Sequence, residues 1–272
     1  MTYLDLRSAP VVALLGPLEV RTPDGPRPVP ARLDRLVLAR LVLAEERTVS
    51  VDTLVDAIWG EDPPANARNA LQVKVSRLRR LLGDHGGSLS FAQGAYRLAL
   101  APDQTDLGRF TALVAEAEAA LDDGAHTLAC DAARASLALW RGEPLTDLDE
   151  DLVVAAARRR LHELWLTARE VHAETQLRDS ATRSAAIGEL RDLLGVHPLR
   201  PRARLALMRA LELAGRRADA LAVYDAGRRV LAQETGLEPP AELQQAFAEL
   251  LAAELLAAER RAARRTPAGP DS

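Results

Sequence analysis

Two hydrophobic rhythms share the first hundred residues of this chain, and one of them carries on alone to the end. VVALLGPLEV (Val11 to Val20) is apolar and β-branched with a Gly-Pro break, and turn residues fill Pro23 to Pro30, which predicts a small antiparallel sheet. Leu33, Leu36, Val37, Leu41 and Val42 then recur at helical spacing within Arg32 to Glu45. Val49-Ser50-Val51 predicts a short extended piece, Asp52 is a candidate cap for a helix through Trp59, and Gly60 stops that helix. Pro63 and Pro64 fix φ and remove backbone donors, so the chain turns there. The next helix, Ala65 to Leu82, places Leu71, Val75, Leu78 and Leu82 on one side and Asn69, Val73, Ser76, Arg77 and Arg80 on the other. Gln72, Lys74 and Arg79 fall on its flanks. Ser88 to Phe91 and Ala95 to Leu100, joined around Gln93-Gly94, predict a β-hairpin.

Beyond Pro102 the helical period takes over. Helices are expected at Leu107 to Asp122, Thr127 to Arg141, Leu152 to Arg178, Thr182 to Leu194, Pro201 to Leu213, Ala218 to Glu234 and Pro240 to Arg261. A partial echo at 34 residues pairs Ala186 with Ala220 and Leu190 with Tyr224, small and large residues suited to the packed helices of a tetratricopeptide-like unit; Met208 stands where a glycine is common. The expected architecture is an α+β winged helix-turn-helix domain at about 10–100, then an all-α tetratricopeptide-like domain at about 104–260. Residues 261–272, ending in the proline-containing Thr266 to Ser272, are expected to be a disordered tail.

Charge sharpens this division. The chain of 272 residues has a formal net charge of −4, but residues 1–100 carry 13 basic and 11 acidic side chains while the remainder carries 22 and 28. Between Ala65 and Arg97 six bases (Arg68, Lys74, Arg77, Arg79, Arg80, Arg97) face one acid, Asp84, the local asymmetry that a phosphate backbone attracts. A helix entering the major groove buries one face and presents donors on the other. Arg77 and Arg80 are suited to a guanine edge, Asn69 and Gln72 to adenine, and the Val73 methyls to a thymine methyl. Lys74, Ser76 and Arg79 are placed for phosphate. Sheet, two helices, basic helix and hairpin, in that order, form a winged-helix arrangement. Lys74 is the only lysine, so its acetylation is expected to depress DNA binding if this helix sits on DNA.

The sequence excludes other chemistry. His85, His126, His162, His172 and His197 are scattered, Cys130 has no ligand-spaced partner, and no zinc-binding helix, dinucleotide turn or acyl-transfer elbow is written in the chain. No enzyme activity, metal or cofactor is expected. Cys130 is expected to be a small buried thiol, Trp59, Trp140 and Trp165 to be core anchors, and Arg158-Arg159-Arg160 to be a solvated helix face. No apolar run is long enough for a bilayer and Met1 to Pro10 lacks a secretion pattern, so a cytoplasmic protein without membrane contact is expected.

Six strings run through the chain: LGPLEV (Leu15 to Val20), SVDTLVDAIWGEDPPANARNALQVKVSRLRRLLG (Ser50 to Gly83), AYRL (Ala95 to Leu98), LWRGEPLTDL (Leu139 to Leu148), HPLRPRARLALMRAL (His197 to Leu211) and ETGLEPPAEL (Glu234 to Leu243). In these strings and their order the chain resembles the actinobacterial antibiotic regulatory protein family of transcriptional activators. The resemblance implies an OmpR-type winged helix followed by a bacterial transcriptional activation domain. Such proteins bind direct repeats in double-stranded promoter DNA, often of antibiotic and other secondary-metabolite gene clusters, and help recruit RNA polymerase holoenzyme.

By this resemblance Arg77 falls at a base-reading position, Lys74, Ser76 and Arg79 at phosphate-facing ones, and Tyr96 and Arg97 at the wing tip. The turn Gly60, Glu61, Asp62, Pro63, Pro64 and Ala65 matches the loop presented to polymerase. Larger relatives continue into a nucleotide-binding module; no phosphate-loop pattern occurs here, and no ATP dependence is expected. Leu33 stands where a basic residue is usual, and Ala92-Gln93 where an arginine is common before the wing glycine. Weak binding by one copy is therefore expected, with self-association of two or more copies on tandem repeats. The alternative reading is a helical-repeat protein-interaction scaffold with weak or no DNA binding.

Overall fold

The computed structural model describes residues 11–22, 24–148 and 152–265. Packing divides them into two compact units. The described residues up to Ala119, with Asp131–Ala168, form the first; Ala120–Cys130 and the described residues from Arg169 form the second.

In the first unit β1 (Val12–Ala13), β2 (Glu19–Thr22) and β3 (Gly25–Pro28) make an antiparallel sheet in that order, with Val12 opposite Val20 and Val20 opposite Arg27. Three helices follow: α1 (Arg32–Leu43), α2 (Val51–Trp59) and α3 (Ala67–Leu81). The strand β4 (Val49–Ser50) precedes α2 and pairs with β6 (Ala95–Leu98), which also pairs with β5 (Leu89–Ala92), giving the order β4-β6-β5. The hairpin turn forms because Gln93 and Gly94 both adopt positive φ, 51° and 76°, the backbone that matches strand twist across a two-residue loop.

Ser50, not Asp52, caps α2: its hydroxyl accepts the Thr53 N–H at 3.0 Å. Capping requires an extended residue just outside the helix, and Asp52 already lies in the first turn. Gly60 ends α2 as expected, with φ of 57°.

The expected seam near residues 100–104 marks a change in sequence character; packing runs across it. One hydrophobic core joins Leu14, Leu38, Leu54, Leu71 and Leu98 to Phe110, Leu145 and Leu161, with Trp59, Trp140 and Trp165 packed at its margin. Phe110 and Val114 lie on α4 (Asp106–Asp122), which is followed by α5 (His126–Ala138) and α6 (Leu152–Thr175). At the start of α4 the buried Asp106 carboxylate accepts the backbone N–H groups of Leu14 at 2.7 Å and Leu15 at 2.9 Å. Burial raises its pKa in spite of those bonds and of Arg141 nearby. Arg159 and Arg160 are exposed as expected, Arg160 in a surface pair with Glu45 at 2.6 Å, but Arg158 is half-buried and donates to the carbonyls of Pro144, Leu145 and Leu148. A helix of 24 residues necessarily turns part of any basic run toward its neighbours.

The second unit contains α7 (Ser180–Val196), α8 (Pro201–Leu213), α9 (Arg217–Thr235) and α10 (Ala241–Arg265). α8 packs on α7 and α9, and α10 returns against α8 and α9. Buried alanines, among them Ala186, Ala203, Ala210 and Ala220, let these helices approach closely, while Leu190 and Tyr224 fill the space between. Helix α10 continues to Arg265, so residues 261–265 are helical rather than part of a tail; Ala and Arg are strong helix formers with no breaker before Thr266. Residues 266–272, like the Met1 to Pro10 segment, lie outside the described residues. Cys130 is half-buried rather than fully buried.

Candidate nucleic-acid interface

Helix α3 is built to show one face. Leu71, Val75 and Leu78 are almost completely buried, against the packing of α1 and α2, and they fix which residues point away. On that outer face Asn69, Gln72, Ser76, Arg77 and Arg80 are exposed, and Val73 lies among them with 52% of its surface open. Among the described residues, none of those five polar side chains makes a hydrogen bond or ion pair with the protein. Their donors and acceptors are unspent, an arrangement that a surface helix with internal ion pairs would not show. Arg68 is also exposed, in a loose pair with Asp52 at 3.0 Å.

The remaining expected contacts are partly or wholly committed inside the protein. Lys74 does not face outward: its Nζ lies 3.5 Å from Asp34 Oδ1, with side-chain exposures of 13% and 7%, and 5.9 Å above the Trp59 ring. The ion pair falls short of a hydrogen bond, since Asp34 Oδ1 accepts none. A flank position on α3 meets α1, and a long aliphatic stem brings the ammonium back to the acid in the first turn of α1. Acetylating Lys74 would therefore perturb the interior, and says nothing about phosphate.

Arg79 is exposed, yet its Nε donates to the Leu89 carbonyl at 2.8 Å, which ties the C-terminal turn of α3 to β5. Tyr96 is not at the wing tip. It is 4% exposed, sits in the core and meets the Phe91 ring at 4.8 Å, because on β6 it shares the inward face with Leu98. Arg97 points outward from mid-strand, with Nε bonded to the Glu46 carbonyl at 2.7 Å and Nη2 to the Glu46 carboxylate at 2.9 Å. The tip itself is Ala92 to Ala95, all exposed or half-buried.

One feature was not singled out from the sequence. Ser90 is exposed on β5, and together with Ser76, Arg79 and Arg80 it lines a shallow concavity between α3 and the hairpin. The outward phase of Ser90 was available from the alternation of β5; its nearness to α3 was not. The turn Gly60 to Ala65 is exposed at every residue. Among the described residues no cluster of His, Cys, Asp and Glu could hold a metal ion, and no helix is long and apolar enough to cross a membrane.

The family model for the bacterial transcriptional activator domain matches residues 105–251, and that for the transcriptional regulatory protein C-terminal domain matches 32–93. The chain is 40% identical over 219 residues to the regulatory protein AfsR of Streptomyces coelicolor, covering 80% of this chain and 22% of that protein. It is 33% identical over 252 residues to the regulatory protein DnrI of Streptomyces peucetius, covering 89% and 92%. Among solved structures, Mycobacterium tuberculosis EmbR in complex with a low-affinity phosphopeptide matches with a TM-score of 0.80 and 34% identity, over 89% of this chain and 65% of that one.

Proposed function

This chain belongs to the actinobacterial antibiotic regulatory protein family, transcription factors rather than enzymes, in which an OmpR-type winged helix precedes a bacterial transcriptional activator domain, and on that premise we propose that it is a sequence-specific DNA-binding activator. The observation that carries the proposal is the outer face of α3, where Asn69, Gln72, Ser76, Arg77 and Arg80 are exposed and have no partner among the described residues while the opposite face is sealed in the core. In this reading α3 enters the major groove of a promoter. Arg77 and Arg80 address guanine, Asn69 and Gln72 address adenine, and Val73 meets a thymine methyl. Ser76, Arg79, Arg68 and the hairpin tip hold the flanking phosphates.

The winged-helix segment at about 10–100 supplies this contact and the exposed Gly60 to Ala65 turn supplies one to RNA polymerase, with the segment at about 104–260 adding further polymerase contacts. Promoters of secondary-metabolite gene clusters with direct repeats are the proposed targets. Three of the six bases between Ala65 and Arg97 have an acidic partner within the protein. Affinity of a single copy is therefore low, and two copies on adjacent repeats bind cooperatively. In a gel-shift titration a tandem site is expected to fill at lower protein concentration than an isolated half-site; independent filling of the two halves removes the self-association.

In-vitro selection from random duplexes tests the main proposal, and enrichment of a repeated motif is the expected result; the scaffold alternative yields none. Salt titration on the selected site then sorts the bases. Arg79→Ala is expected to reduce the slope of log affinity against log salt by about one without changing base preference, as loss of one phosphate contact does. Arg97→Ala is expected to leave the slope where it was, because that guanidinium is spent on Glu46. Equal effects of the two substitutions would show that DNA does not distinguish an arginine held only on a backbone carbonyl from one paired with a carboxylate.

A further inference from the structure

The stretch RPRAR places arginines at 200, 202 and 204, and the helical unit treats the third differently. Arg200 pairs with Glu170 at 2.6 Å and Arg202 with Glu174 at 2.8 Å. Arg204, on α8, has 8% of its surface exposed and, among the described residues, no carboxylate partner. Its Nη1 donates to the Val223 carbonyl at 3.0 Å and its Nη2 to the Pro198 carbonyl at 2.6 Å. Those two bonds leave three of the five guanidinium N–H groups for another acceptor. Removal from water, uncompensated by an anion, lowers the pKa of this guanidinium from its ordinary value.

Space for Arg204 comes from α9. A Cβ at Gly227 would overlap the Nε and Cδ atoms of Arg204, so the arginine crosses the helix where a side chain is missing. Arg204 then forms part of the wall of a cavity of about 150 Å³, whose other walls include Leu199, Tyr224, Leu231, Leu237 and Leu243. At the same cavity Arg228 and Glu238 carry opposite charges, leaving the buried Arg204 as the unbalanced one.

We propose that this cavity is a binding site for a small monocarboxylate with an apolar body, its carboxylate seated on Arg204 and its hydrocarbon against the leucines and Tyr224. A volume of this size accommodates roughly one benzene ring and is well below that of a drug-sized pocket. A neutral hydrocarbon would leave the buried charge uncompensated, and an amine would add to it. A dianionic phosphate would bring a second charge, and the one other cation of the lining, Arg228, is offset in formal charge by the lining carboxylate Glu238. The planar fork of an arginine fits a carboxylate in two parallel hydrogen bonds.

The test uses the full chain, thermal melts and titration calorimetry, with no DNA present, so its outcome is separate from the reading above. Benzoate is expected to raise the melting temperature saturably, benzamide to bind at least about tenfold more weakly, and benzylamine not to bind. Arg204→Met keeps the stem and removes the charge. Gly227→Ala displaces the guanidinium, which as the far end of a flexible side chain can move without backbone change. Each is expected to weaken benzoate at least about tenfold. The proposal is overturned if benzoate, phenylacetate and isovalerate all fail to bind at millimolar concentration, if benzamide matches benzoate, or if Gly227→Ala binds benzoate like the wild type. It is equally overturned if chloride or inorganic phosphate protects the protein as well as benzoate does, since the cavity would then select charge alone. Should Arg204→Met not fold, the amide comparison and Gly227→Ala decide the matter.

Discussion

Lys74→Met is expected to lower the unfolding free energy by about 3 kcal/mol, the low end of the cost of removing one partner from a buried ion pair. The Lys74–Asp34 contact is 3.5 Å long and both side chains are nearly excluded from solvent, so the substitution leaves a carboxylate with no cation beside it and with an oxygen that already lacks a hydrogen-bond donor. Methionine retains the stem that lies near Trp59, which isolates the charge from the packing. Adding Asp34→Asn to Lys74→Met should recover most of the loss, because a pair replaced on both sides strands no charge. Denaturant unfolding of the wild type, both single variants and the double variant measures the coupling directly. The salt dependence of DNA binding should be the same for Lys74→Met and wild type. A variant as stable as wild type, with a salt slope smaller by about one, would show that the lysine leaves Asp34 and reaches phosphate.

Of the six basic side chains from Arg68 to Arg97, Lys74 joins α3 to α1 and Arg79 joins the C-terminal turn of α3 to the Leu89 carbonyl of β5. The middle and the C-terminal turn of α3 are thereby set against neighbouring elements, and the side chains of its outer face need no internal bond to hold their direction. Arg97 performs a comparable task for the hairpin by reaching the loop before β4 through Glu46. Positive charge in this segment is divided between holding the helix in place and facing outward, and the outward share is Arg77, Arg80 and the unbonded part of Arg79, with Arg68 weakly tethered.

Periodicity was enough for the parts whose physics is local. Leu71, Val75 and Leu78 declare the inner face of α3, Gln93-Gly94 declares a two-residue turn, and Pro201 opens α8 at its first position. The inward phase of Tyr96 was also readable, since it stands two residues before the apolar Leu98 on a strand, but similarity to a family motif outweighed that alternation. What no local pattern contains is pairing at long range. Asp106 receives the N–H groups of Leu14 and Leu15 from more than ninety residues away, and Lys74 meets an acid forty residues earlier. A charged side chain looks the same in the sequence whether it will meet water, phosphate or a buried partner; burial decides, and burial belongs to the assembled fold. Arg204 and Gly227 illustrate the same limit, as each is ordinary alone and informative only where they cross.

Arg77→Ala is the substitution that separates reading from holding. Its side chain is exposed on α3 and, among the described residues, bonded to nothing in the protein, so truncation should change the unfolding free energy by no more than about 0.5 kcal/mol. On DNA the expected loss is about 1–3 kcal/mol at the selected site, the discrimination carried by one bidentate contact to a guanine edge, which corresponds to a fall in affinity of roughly 5-fold to 150-fold. Binding to unrelated duplex should fall far less, because a base contact contributes little where the base is wrong, and repeated selection should return a motif relaxed at one position in each half-site. A substitution at a phosphate-facing arginine produces the opposite pattern, weakening all sequences alike and flattening the salt slope. If Arg77→Ala preserves the sequence preference while affinity falls uniformly, Arg77 is a phosphate ligand, and reading must lie with Asn69, Gln72 and Arg80 toward either end of the same face. If neither quantity moves, α3 does not enter the groove, and its unspent donors face something other than DNA.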